Sequence, residues 1–166
     1  MSFAEELTAR WLMSMGYFVM SNLKEGRHEV DLVGAKLADD KKTVAGRVHV
    51  EISVSSSPRR TKRTVEEDRA AADDYTQRKF KTVDPFLQTL LGGGYERWRV
   101  IGKLGGGQAE QPAQEQRSTE LGIRVVRFAQ VVKEYVSRLR TRPLDDVGGF
   151  VHTLAKLDLL NTHEEK

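Results

Sequence analysis

Residues 47–54 read Arg47-Val48-His49-Val50-Glu51-Ile52-Ser53-Val54. Val48, Val50, Ile52 and Val54 alternate without a break against Arg47, His49, Glu51 and Ser53. Successive side chains of a strand point to opposite faces, so this pattern predicts a β-strand with one face in a core. The other face carries a histidine, a carboxylate and a hydroxyl in a row. Upstream, His28 to Ala35 reads as a second strand, with Val30 and Leu32 on one face and Glu29 and Asp31 on the other. The polar stretch between the two, with Asp39, Asp40, Lys41 and Lys42, reads as a hairpin loop.

Further out, the other elements follow from periodicity and punctuation. Phe3, Leu7, Trp11 and Met15 recur every four residues, which predicts an amphipathic helix of about three turns ended by Gly16. Tyr17 to Met20 is a short β-prone run, and the polar segment Ser21 to Arg27, with Gly26, reads as a turn. Downstream, Thr64-Val65-Glu66-Glu67 matches a capping box, and a helix is expected from there to about Phe80. Asp84-Pro85 breaks it. Pro85 fits the first position of a short helix through Leu91, and Gly92 to Gly94 forms a turn. Arg97 to Lys103 and Ile123 to Phe128 read as strands, separated by a Gly- and Gln-rich loop over Gly105 to Gln116. A helix on Val131, Val132, Tyr135, Val136 and Leu139 follows, and a last one between about Phe150 and Leu160.

The expected fold class is therefore α/β, a central mixed β-sheet flanked by helices. The 166 residues suit one domain, with a core over about 3–128 and C-terminal helices over about 129–160. With no cysteine, thiolate metal sites and disulfides are excluded. The opening MSFAEELTARW carries two acids where a secretory leader carries basic residues, and no apolar run is long enough to span a bilayer. The expectation is a cytoplasmic protein with no membrane association. Net charge is +3, and Arg59, Arg60, Lys62 and Arg63 form a basic run that can neutralise several phosphates.

Asp31 and Glu51 are the residues that best fit a chemical site. Two carboxylates on paired strands, facing one side, suit a hard divalent cation such as Mg²⁺ or Mn²⁺, which takes oxygen ligands and completes its shell with water and phosphate oxygens. Other chemistries find less support. Gly102-Lys103 precedes Gly105 to Gly107, the reverse of a Walker-type loop, so no nucleotide cofactor is expected. His28, His49, His152 and His163 lack zinc-type spacing. No serine sits in a nucleophile elbow.

Taken in order, an early helix acid (Glu5 or Glu6), a strand, Glu29-Val30-Asp31-Leu32-Val33 and Val48-His49-Val50-Glu51-Ile52-Ser53 resemble the PD-(D/E)xK, or restriction-endonuclease-like, nuclease superfamily. The resemblance covers about residues 3 to 103. It implies an αβββαβ core with an extra C-terminal strand and helices. It also implies metal-dependent hydrolysis of DNA, with Asp31 and Glu51 as metal ligands and Glu6 as the supporting helix acid. Members often act as homodimers. Two departures stand out: Val30 replaces the motif proline, and Ser53 stands where the family places its catalytic lysine. A neutral hydroxyl does not stabilise an anion as an ammonium does. Either another cation fills that place, with Lys62, Arg60 or Arg59 as candidates, or the domain is a degenerate, non-catalytic binding module. Phosphate contacts would come from Arg59, Arg60, Lys62 and Arg63 and from the helix carrying Arg78 and Lys79. His49 reads either as a group near the metal and phosphate or as a ring packed against a neighbouring helix.

Overall fold

In a computed structural model, which describes residues 1–55, 64–103 and 112–139, the alternating segment lies in the longest strand, β3 (Val44–Ser55). It is the central member of a five-stranded sheet in the order β1-β2-β3-β4-β5, the other strands being β1 (Tyr17–Glu25), β2 (His28–Leu37), β4 (Glu96–Lys103) and β5 (Ile123–Arg127). β1, β2 and β3 form an antiparallel meander, and β3, β4 and β5 run parallel. A mixed sheet results, as expected, because hairpins join the first three strands and helices bridge the parallel ones.

Helix α1 (Phe3–Ser14) opens with the Ser2 and Glu5 side chains in a reciprocal capping box. α2 (Val65–Thr76) opens in the same way on Thr64 and Glu67. α2 runs into a π-helical segment, Gln77–Lys81, followed by α3 (Asp84–Leu91). α4 (Pro112–Glu120) and α5 (Phe128–Leu139) complete the described elements. No helix among the described residues is long and apolar enough to cross a membrane.

The two faces of β3 divide the molecule. Val48 and Val50 join Leu7, Trp11 and Leu12 of α1, Trp98 and Val100 of β4, and Val131 and Val132 of α5 in the main core. Trp11 also donates its indole N–H to Glu134 Oε2 at 2.9 Å, tying α1 to α5. On the opposite face, Arg47 Nε donates to the Leu91 carbonyl, His49 meets Phe80, and Ser53 Oγ donates to the Tyr75 hydroxyl. That face is thus covered by α2, the π-helical segment and α3.

Four sequence expectations are corrected. The segment expected as a turn over Ser21 to Arg27 continues β1 to Glu25, and the reversal is confined to the tip, where Gly26 has φ 59°. The expected loop over Gly105 to Gln116 gives way to α4 from Pro112, because Pro suits a helix opening. Phe128 belongs to α5 instead of the strand before it. Val30 does not share a core with Leu32. It packs with Val33, Val83 and Leu87 in a second cluster, while Leu32 joins the main one. Val83 and Leu87, just before and within α3, supply the apolar surface that Val30 covers. The helix expected between Phe150 and Leu160 lies outside the described residues.

Candidate metal and phosphate site

Asp31 reaches the site through an irregularity in the sheet. The β2–β3 pairing ends at Leu32–Val50, while β3 continues to Ser55. Beyond that point the Ile52 amide donates to Asp31 Oδ2 at 2.7 Å. A side-chain carboxylate has replaced the next rung of the ladder. A buried amide must find an acceptor, and here it fixes the Asp31 carboxylate against β3.

Glu51 is fully buried. Its Oε1 lies 2.8 Å from Nε2 of His49, which is also fully buried. Its Oε2 lies 2.8 Å from Lys79 Nζ. That contact is an ion pair and not a well-directed hydrogen bond, for Oε2 makes no hydrogen bond. Lys79 Nζ also lies 3.9 Å from Asp31 Oδ1 and donates to the Glu29 carbonyl at 3.3 Å. One ammonium therefore stands between two carboxylates from adjacent strands.

The electrostatics follow from burial and proximity. Burial first, then the field of Glu51, pushes the Asp31 carboxyl up to about 6, against the opposing pull of the Ile52 amide and Lys79. Burial acts to lower the Lys79 ammonium, but Glu51 and then Asp31 outweigh it, and the net shift is upward. Tyr75 is pushed up to about 12, chiefly by burial, and stays a neutral phenol bonded to Ser53. The Arg99 guanidinium stacks 3.7 Å from the centre of the Tyr75 ring.

Lys79 lies within the π-helical segment. Ala72, Thr76 and Phe80 are buried at four-residue spacing along α2 and its extension, so Lys79 precedes an anchor of the buried face. Phe80 stacks against His49 with ring centroids 4.8 Å apart, while Lys79 beside it reaches Glu51. A π turn widens the helix by one residue and shifts the phase of those that follow, a feature frequent at functional sites.

Of the residues singled out in the sequence, Asp31 and Glu51 are brought to the common partner Lys79. Lys79, expected on the phosphate-binding surface, instead occupies the space between the two acids. Ser53 is engaged with Tyr75. Glu6 is turned to Arg10 in a half-exposed ion pair at 2.8 Å. The helix acid whose charge reaches Asp31 is Glu5, which raises it slightly. Arg78 pairs with Asp74 at 2.6 Å on the exposed side of the helix. Arg59, Arg60, Lys62 and Arg63 lie outside the described residues. His49 is both packed against a helix and bonded to Glu51, so the two readings of it do not exclude each other. Sequence reasoning missed Lys79 as a site cation because helical spacing alone does not reveal which distant acids a lysine meets.

The donor set fits a hard divalent cation. Asp31 Oδ1 and Glu51 Oε2 both face the Lys79 ammonium, at 3.9 and 2.8 Å, and the buried Oε2 retains acceptor capacity. Among the described residues no group of three or more His, Asp or Glu is placed to hold a metal ion. Two carboxylates plus solvent and substrate oxygens is the ligation Mg²⁺ usually accepts. No protein-family model matches the sequence, and no curated protein matches it significantly.

Proposed function

We propose that this chain is a metal-dependent nuclease domain of the restriction-endonuclease-like type, acting inside the cell on DNA. The observation that carries the reading is the convergence of Asp31, Glu51 and Lys79. Asp31 and Glu51 would hold Mg²⁺ or Mn²⁺. When bound, such an ion stabilises charge on a phosphodiester and acidifies a water molecule. Lys79 supplies the ammonium that Ser53 lacks. Its side chain is one-third exposed on a flexible stem, so it can hold a water or a phosphate oxygen beside the two acids. Asp31 is kept in place by the Ile52 amide, and Glu51 by His49. The basic run at 59–63 and the exposed Arg78 would meet the DNA backbone, giving an affinity that falls steeply with salt. A homodimer would present two such sites to the two strands.

The test is plasmid nicking by the purified chain with Mg²⁺ or Mn²⁺, beside Asp31→Ala and Glu51→Ala. Metal-dependent cutting lost in both variants supports the enzyme. A second reading, a non-catalytic nucleic-acid-binding module, is favoured by the full burial of Glu51 and its two internal partners. Retention of DNA on filters without cutting by the wild type would select it.

A further inference from the structure

We propose that His49 is a positioning residue that holds the Glu51 carboxylate in its ion-binding orientation, an inference that rests on the metal-site reading above. The two residues lie two apart on β3, on the same face, and both are fully buried. A carboxylate only accepts, so His49 Nε2 is the donor to Oε1 at 2.8 Å. Holding Oε1 leaves Oε2 as the oxygen that faces Lys79 and the Asp31 side.

The ring has little freedom to release its partner. Phe80 packs at 4.8 Å and Tyr95 at 6.0 Å between centroids. Nδ1, by contrast, is buried with no hydrogen-bond partner. An unmet buried polar atom is a cost, and a leucine or phenylalanine would fill the space without it. What an apolar side chain lacks is the Nε2–H on Glu51. Packing alone therefore does not explain a histidine here, whereas orientation of the carboxylate does. Outer-shell partners of metal ligands typically change affinity ten- to a hundredfold.

Calcium binding by the full chain, measured by isothermal titration calorimetry with thermal melts alongside, tests this. His49→Leu should lose about ten- to a hundredfold in Ca²⁺ affinity while remaining folded. His49→Gln, whose amide nitrogen falls near the Nε2 position, should recover most of it. If His49→Leu does not fold, His49→Asn, whose shorter amide does not reach Glu51, should show the same loss relative to Gln. Wild-type affinity in the Leu or Asn variant, or equal losses in the Gln variant and either of them, overturns the positioning role alone. Absence of Ca²⁺ and Mn²⁺ binding by the wild type overturns the metal site itself, and this proposal with it.

Discussion

Lys79 Nζ stands 2.8 Å from Glu51 Oε2, and the two residues come from a π-helical segment and the central strand on which it lies. Glu51 has no exposure, so the Lys79 ammonium is the charge that offsets its carboxylate, while His49 Nε2 lies 2.8 Å from the other oxygen.

Lys79→Met should therefore destabilise the fold. Removing one partner of a buried pair costs about 3–5 kcal/mol, and the partial exposure of Lys79 places this case toward or below the lower end. Urea midpoints report the loss. If the nuclease reading holds, nicking should fall by about a hundredfold or more, as expected on losing a preorganised charge. A stable Lys79→Met protein with unchanged midpoint would show that Glu51 does not depend on it.

Asp31 sets a pH dependence. Its folded pKa is raised from 3.8 to about 6, so the folded state holds this proton more tightly than the unfolded chain. The resulting stabilisation is fully present below about 3.8 and is lost as pH rises through about 6, on the order of 3 kcal/mol. With divalent ions chelated, urea midpoints of the wild type relative to Asp31→Asn should decline across this window. A difference that stays flat with pH would contradict the raised value.

Thr64→Ala removes the cap of α2, since Thr64 Oγ1 accepts from the Glu67 amide at 3.2 Å and Glu67 Oε2 accepts from the Thr64 amide at 2.8 Å. Loss of such a cap costs about 1 kcal/mol. Equilibrium unfolding of the variant should show this decrease with little change in cooperativity.

Gly102→Ala should be costly for steric reasons alone. A β-carbon at Gly102 would lie 2.9 Å from Cβ of the buried Phe128. Overpacking of this kind costs about 1–3 kcal/mol. Its thermal midpoint should fall, and a midpoint equal to that of the wild type would mean that α5 yields freely at Phe128.

Much of this architecture was legible in the residues themselves. The alternation over Arg47 to Val54 established the central strand and its two faces, because period two follows from backbone geometry alone. The Thr64–Glu67 box and the four-residue repeat from Phe3 to Met15 marked two helices for equally local reasons. That Asp31 and Glu51 lie near one another followed from their places on neighbouring strands, and both face Lys79. Long-range packing decided the rest. The apolar surface of Val83 and Leu87 took Val30 into a different cluster from Leu32. Lys79 of the π-helical segment met the acids while its neighbour Phe80 packed against His49. Neither has a periodic signature, since each depends on contacts with distant segments. Local preference chose the strands and helices, and burial of charge chose which cation would stand beside Glu51.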